Sequence, residues 1–150
     1  MTRLSLLLTA SLAACASCQG GSSGATATRV ADAPVPSPSD LSGTAWRLVD
    51  LAGAAVPDGM EATLEFPEAG RVAGRAFCNR FFGSVTISGS SISFGQLGAT
   101  RMACADAVNE QQANYLTALQ AAERFGREGD ALLVYVRGDD RPLRFVRIKR

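Results

Sequence analysis

Histidine is missing from all 150 residues of the sequence, and its absence excludes several kinds of chemistry. A nucleophile activated by an imidazole base, a histidine-ligated metal site and the commonest general base all need that side chain. An excess of positive charge is missing too, since 15 Lys and Arg residues stand against 14 Asp and Glu. Because contacts with phosphate groups normally leave a protein basic, we expect no nucleic-acid partner.

A long apolar run is missing as well: residues 4–14 are mostly apolar, but a helix that spans a bilayer needs about 20 residues. This run follows Arg3 and precedes small residues, the order of a secretory signal peptide. It ends in Leu12-Ala13-Ala14-Cys15, which resembles the lipobox of bacterial lipoproteins, where the cysteine is acylated, palmitate being a typical chain. The resemblance implies a lipoprotein signal peptide over residues 1–14 and lipid attachment at Cys15. An ordinary signal peptide, with Cys15 unmodified, is the alternative.

Residues 15–40 are rich in Ser, Gly, Ala, Thr and Pro. This composition predicts a disordered, lipid-anchored linker with an r.m.s. reach of roughly 25–30 Å. Ala16 follows the cysteine where, in Gram-negative lipoproteins, an Asp retains the protein in the inner membrane. We therefore expect an exported protein, held to its membrane through Cys15 on the periplasmic face of the bacterial outer membrane.

The remaining residues, 41–150, alternate mostly with the period of β-strands, as in Met60, Ala62, Leu64 and Phe66. Other strand-like runs lie at residues 44–51, 71–78, 85–87, 92–94, 131–136 and 143–148. One segment has helical spacing, from an N-cap at Asp106 to a stop at Gly126. The pattern predicts a single α+β domain in which a curved antiparallel β-sheet of about six to seven strands packs with one α-helix.

Two cysteines, Cys78 and Cys104, lie inside this domain. An exported protein meets an oxidising compartment, so we predict a disulfide between them, which stabilises by about 3.5 kcal/mol in the chain-entropy model. Two buried thiols are the alternative. A metal site is disfavoured, because two cysteines without histidine are an incomplete ligand set, and we expect no metal or cofactor.

Several motifs occur together in residues 41–150: Thr44-Ala45-Trp46-Arg47-Leu48, Cys78-Asn79-Arg80-Phe81-Phe82-Gly83, Thr100-Arg101-Met102-Ala103-Cys104, and a helix with Tyr115-Leu116. In this combination they resemble the META domain family, that of HslJ-like heat-shock proteins. The resemblance implies a small curved antiparallel sheet with one helix, in exported or membrane-tethered proteins linked to stress response and drug tolerance. It implies no catalytic residues. Gln112 departs from the family pattern, since many members carry Glu there.

The residues around the two cysteines are candidates for a site. Arg80 and Arg101 flank them and form a possible cationic binding site; the alternative is that each arginine hydrogen-bonds nearby carbonyl or carboxylate groups and holds the loops. Asn79 favours a bend where the chain leaves a strand. Of Phe81 and Phe82, only one can enter the core from an extended chain.

These observations favour a monomeric, non-enzymatic cell-envelope lipoprotein that binds an envelope protein or a hydrophobic ligand, the latter in the concave face of the sheet. One alternative is a hydrolase-like enzyme that works without histidine, through carboxylates such as Glu65 or Asp50. Another is a purely structural, stress-protective domain. The basic C-terminal residues, Arg147 and Lys149 among them, are candidates to meet anionic lipid headgroups; the alternative is that they are the charged outer faces of edge strands and prevent edge-to-edge pairing.

Overall fold

The computed structural model of the protein describes residues 41–149. The predicted signal peptide, the lipid site at Cys15 and the linker lie outside the described residues. Within residues 41–149, no helix is both long and apolar enough to cross a membrane. The elements are β1 (Thr44–Leu51), β2 (Ala54–Ala55), β3 (Thr63–Phe66), β4 (Arg71–Ala76), β5 (Asn79–Ser88), β6 (Ser91–Phe94), β7 (Gly98–Ala99), α1 (Asp106–Gln120), β8 (Ala122–Glu128), β9 (Ala131–Val136) and β10 (Leu143–Arg147).

Eight of these strands form a closed antiparallel barrel. Around its circumference they follow the order β1, β3, β4, β5, β6, β8, β9 and β10, and β10 pairs again with β1. Strand β2 pairs with the end of β1, and β7 pairs with β5. The prediction of a curved sheet of six to seven strands is therefore wrong, because the sheet has more strands and closes on itself.

Among the eight strands of the barrel, the one missing from the prediction is β8. The sequence pattern predicts helix from Asp106 to Gly126, whereas α1 ends at Gln120 and the chain continues directly as β8, between β6 and β9. Its charged residues, such as Glu123 and Arg124, have weak strand preference, so local pattern alone does not reveal it. Pairing with β9 along nearly its whole length makes it a strand.

Side chains fill the interior of the barrel. Inward-facing residues alternate along the strands, as strand geometry requires, and the helix adds Tyr115 and Leu119 to the same core. The Tyr115 ring packs edge-on against Phe77 and Phe81, with ring centroids 6.1 and 5.9 Å apart. The largest buried strand side chains are Trp46, Leu64, Phe66, Phe81, Ile92, Leu132, Leu143 and Phe145.

Strands β3 and β4 are joined partly by side chains. The Thr63 hydroxyl accepts a hydrogen bond from the backbone N–H of Arg75 at 2.9 Å. The Thr63 carbonyl instead accepts the hydroxyl of Tyr115, which reaches it from the helix at 3.0 Å. Burial raises the pKa of Tyr115 well above its usual value of 10.0, because ionisation would leave a phenolate in the apolar core. Helix and sheet are thus locked together by a hydroxyl that stays protonated.

Candidate functional site

The turn between β4 and β5 begins the region that the sequence singles out. It contains Phe77 and Cys78, and Phe77 adopts a left-handed conformation with φ +57°. A non-glycine residue with positive φ needs support from its surroundings, and here the buried Phe77 ring packs against Tyr115. The bend predicted at Asn79 lies two residues earlier. The backbone is irregular at Phe77, and Asn79 is the first residue of β5.

Cys78 and Cys104 lie at disulfide-bonding distance, with their Cα atoms 6.5 Å apart. This is the arrangement that the predicted disulfide requires. It connects the β4–β5 turn to the loop that precedes α1. The Asn109 side chain also donates to the Cys104 carbonyl at 3.1 Å, so the helix holds the same loop.

Asn79 is the polar centre of this region. Only 2% of its surface is exposed, and its Oδ1 atom accepts hydrogen bonds from the Thr100 hydroxyl at 2.9 Å and the Met102 backbone N–H at 2.7 Å. Its own backbone N–H donates to Oε1 of Gln112 at 3.2 Å. Sequence reasoning missed this role, because the partners are distant along the chain. Gln112 accepts this hydrogen bond through its neutral amide oxygen, so the bond does not require the charged Glu found in many family members.

On the outer face of the barrel, an open groove of about 500 Å³ runs beside this turn. Arg75 and Arg80 lie directly opposite each other on β4 and β5 and line the groove together. Phe82 follows two residues later on the same face and is 62% exposed. The full lining is Ala45, Glu61, Thr63, Glu65, Ala73, Gly74, Arg75, Arg80, Phe81, Phe82 and Ile148.

The two arginines of the predicted site have different positions. Arg80 lines the groove, whereas Arg101 lies on the loop before α1 and is not part of the lining. The register of β4 and β5 places Arg75 next to Arg80 instead, a neighbour that sequence spacing alone does not reveal. Among residues 41–149, the arginines in ion pairs are Arg71, Arg137, Arg141 and Arg144, and so include neither groove arginine.

Only one of Phe81 and Phe82 enters the core, as predicted. Phe81 is buried in the core, whereas Phe82 is one of two large apolar side chains that are exposed among the described residues, the other being Met102 at 61%. The Phe82 ring lies over Gly98 of β7, so close that a β-carbon on Gly98 would approach its Cζ atom to 3.1 Å. The ring is therefore supported from below and open to solvent above.

The carboxylates named for an enzymatic alternative, Glu65 and Asp50, and the second groove carboxylate, Glu61, are far apart along the backbone. Glu61 and Glu65 both line the groove, but four residues of extended chain separate them by about 13 Å. Ala45 is the partner of Glu65 across β1 and β3, and Asp50 lies five residues further along β1, about 16 Å away. An acid and base pair of a glycosidase needs carboxyl groups about 5–10 Å apart. The backbone separations of both pairs exceed that range.

Two other expectations concern ligands. The concave face of the sheet is the barrel interior, and buried side chains such as Trp46 and Phe145 occupy it, so a hydrophobic ligand has no open concave face to bind. Within the described part of the chain, no group of three or more Cys, Asp and Glu side chains is placed to hold a metal ion.

Comparison with known proteins confirms the resemblance that the sequence motifs carry. The model of the META domain family matches residues 39–150. A search of curated protein sequences finds no match to the chain.

Solved structures match the fold. An NMR structure of a protein from Burkholderia xenovorans is 30% identical, with a TM-score of 0.63, and the match covers 79% of this chain and 93% of that one. A second NMR structure, 24% identical with a TM-score of 0.60, covers 74% and 94%. The crystal structure of a DUF4847 family protein from Bacteroides vulgatus is 15% identical with a TM-score of 0.51, and covers 75% and 97%. The last two show the fold alone.

Proposed function

Because the chain belongs to the META domain family, we propose that it is a non-enzymatic lipoprotein of the cell envelope that binds another envelope protein through the outer groove. The observation that carries the proposal is the exposed Phe82 beside the opposed pair Arg75 and Arg80. Aromatic and arginine side chains are the types most enriched among residues that dominate binding energy at protein interfaces.

The energetics of the groove favour a partner. Like charges placed directly opposite on neighbouring strands destabilise a sheet, and in the groove lining Glu61 and Glu65 are the carboxylates that can offset Arg75 and Arg80. Covering the Phe82 ring would contribute roughly 1.5–3 kcal/mol of hydrophobic free energy. A partner with an acidic group and an apolar surface would meet both the arginines and the Phe82 ring.

The groove is also held rigidly, which lowers the entropic cost of binding. The Thr100 hydroxyl accepts the backbone N–H of Arg80 at 3.1 Å, and the Arg80 carbonyl accepts the backbone N–H of Thr100 at 2.9 Å. Thr100 in turn donates to the buried Asn79. The backbone that carries Arg80 is therefore fixed on both sides before a partner arrives.

The membrane attachment in this proposal rests on the lipobox-like sequence at Cys15. Its test is Cys15→Ser, which we expect to leave an unprocessed and unlipidated precursor. Normal processing of the Ser variant would contradict the anchor. Fractionation of the envelope then tests the expected place on the periplasmic face of the outer membrane.

The binding function is tested by crosslinking in cells. A photoreactive residue at Ala73, which pairs with Phe82 across β4 and β5, should capture one specific envelope protein. The same residue at Ser93, on the outer face of β6, is the position control. Phe82→Ala should abolish the adduct, whereas Met102→Ala, which removes an equally exposed side chain outside the groove lining, should leave it intact. The same adducts from both positions, or an adduct that survives Phe82→Ala, would reject the groove.

The rival functions predict different results. A carboxylate hydrolase requires a pair of carboxyl groups at catalytic separation, and the spacings of Glu61, Glu65 and Asp50 do not favour one. A purely structural, stress-protective domain predicts that no specific partner is captured from either position. The link to stress response stays part of the proposal and rests on the family resemblance.

A further inference from the structure

Trp46 marks an end of the barrel that carries two stacked arginines. Trp46 is fully buried, at 0% exposure, and the guanidinium carbons of Arg127 and Arg147 lie 5.3 and 5.9 Å from the centroid of its ring. Both arginines are exposed. Cation–π contact with a tryptophan face holds a guanidinium in place while leaving its N–H groups free to bind an anion.

Strand pairing brings these residues together from different parts of the chain. Arg147 is the direct partner of Trp46 across β10 and β1. Arg127 is two residues beyond the buried Phe125 on β8 and so faces the same side of that strand. Each arginine thus continues an inward-facing row to the end of the barrel, where the core gives way to solvent.

The charges around this end are mostly positive. Arg147 and Lys149 line a shallow depression that also contains Asp130, the one carboxylate in its lining. Glu128, the last residue of β8, is 2.6 Å from Arg144 and is therefore already paired. We name Arg127 and Arg147, which stack on the Trp46 ring, together with Lys149, the basic end surface.

The chain enters the described fold beside this surface. The Thr44 hydroxyl donates to the Leu41 carbonyl at 2.5 Å and accepts the indole N–H of Trp46 at 2.7 Å. Two hydrogen bonds thus join the first described residue to the ring on which the arginines stack. Whatever precedes Leu41 in the chain attaches at this end of the barrel.

We propose that the basic end surface docks on the anionic phospholipid headgroups of the membrane that holds the lipid anchor. The inference rests on the proposed anchoring at Cys15, since residues 15–40 would then connect the membrane to this end. Tethering keeps the local concentration of headgroups high, so a surface of three cations is sufficient for docking.

The experiment uses the mature lipidated protein reconstituted in vesicles and the fluorescence of Trp46, the only tryptophan. Energy transfer from Trp46 to a dansyl-labelled lipid headgroup reports how near this end lies to the membrane. We expect more transfer in vesicles that contain phosphatidylglycerol than in pure phosphatidylcholine, and a loss of the difference at high salt, because surface charge attraction is screened. Equal transfer in both kinds of vesicle would overturn the proposal without any variant.

Charge reversal locates the surface. Arg127→Glu/Arg147→Glu should weaken docking by at least about thirtyfold and reduce transfer to the phosphatidylcholine level. Arg137→Glu/Arg141→Glu changes the net charge equally, beside the other ends of β9 and β10, and should leave transfer unchanged. An equal loss in both variants would show attraction by overall charge alone and overturn the assignment.

Two more results would distinguish membrane docking from a free-phosphate site and from a failed anchor. If inorganic phosphate releases the docked end at an ionic strength where chloride does not, the surface is a site for free phosphate, and the membrane assignment is wrong. If the protein does not float with vesicles of either composition, the anchor itself fails. That result is distinct from a protein that floats with both but shows no difference in transfer.

Discussion

The α-carbon of Gly74 packs against the carbonyl oxygen of Thr63, so closely that a β-carbon on residue 74 would collide with that oxygen. The same β-carbon would lie 2.9 Å from Cε1 of Phe81. The Thr63 carbonyl cannot move away easily, because it accepts a hydrogen bond from the Tyr115 hydroxyl. Strands β3 and β4, the helix and the core therefore meet at a point where only a hydrogen atom fits.

We predict that Gly74→Ala destabilises the protein by about 2–3 kcal/mol, the range typical of overpacked sites. Chemical denaturation followed by circular dichroism measures the change. Gly126→Ala, in β8, is the matched control: its β-carbon would meet only the Tyr135 ring at 3.9 Å, so that variant should be neutral or slightly more stable. Equal effects of the two substitutions would contradict the crowding at Gly74.

Tyr115→Phe keeps the aromatic packing and removes only the hydroxyl. The Thr63 carbonyl then loses the donor that it meets in the core, and we expect a loss of about 1–3 kcal/mol in the free energy of unfolding at neutral pH. Thermal or urea unfolding measures it. A variant as stable as the wild type would show that water or another donor replaces the phenol.

The raised pKa of Tyr115 predicts a stability that falls at alkaline pH. In the unfolded chain the phenol ionises near pH 10, whereas the buried phenol keeps its proton to higher pH, so the folded state binds more protons in that interval. The contribution of Tyr115 is complete below pH 10 and decreases above it by up to about 1.4 kcal/mol per pH unit. Urea titrations between pH 8 and 11 measure the slope. The difference from Tyr115→Phe isolates this group, and parallel slopes would contradict the assignment.

The Cys78 and Cys104 pair predicts a redox-dependent stability. Closing 26 residues of chain stabilises by about 3.5 kcal/mol in the chain-entropy model, so Cys104→Ser should lower the unfolding free energy by about that amount. Cys18→Ser, outside the domain, should have no effect. Intact mass that increases by two hydrogens only after reduction is the direct check, and two thiols that alkylate without reductant would contradict the bridge.

Asn79→Ala should destabilise the loop before α1 more than the strand that carries it. The substitution leaves the Thr100 hydroxyl and the Met102 N–H without their acceptor, and we expect a loss of about 1–3 kcal/mol for two part-buried hydrogen bonds. Hydrogen exchange at Met102 measures the local effect. The exposed neighbour Arg101→Ala serves as the control, with little expected change, and similar exchange in both variants would contradict the role of Asn79.

The sequence predicts the elements of this fold better than it predicts their closure. The strand over Thr44–Leu51 and the hairpin of β5 and β6 follow from alternation and a glycine turn, and the split between Phe81 and Phe82 follows from strand geometry. Closure depends on the pairing of Trp46 with Arg147, which lie near the first and last residues of the domain in the sequence. No local pattern contains that information.

The candidate site shows the same division. Arg80 and the cysteines are visible as a motif, because their neighbours in sequence are also neighbours in space. The pairing of Arg80 with Arg75 depends on the register of a hairpin whose turn contains a left-handed Phe77, a residue that sequence rules do not predict in that conformation. Where the register of neighbouring strands brings the residues of a site together, the sequence can indicate single residues but does not predict which of them are paired.

The contact between β1 and β10 has a consequence for how the protein folds. Because the first and last strands of the barrel are neighbours, the ring cannot close until the final strand is available, and a chain without β10 would leave β1 and β9 with unpaired edges open to aggregation. Such long-range pairing gives a high contact order, which slows folding. The barrel therefore closes late in folding, when the C-terminal strand β10 pairs with β1.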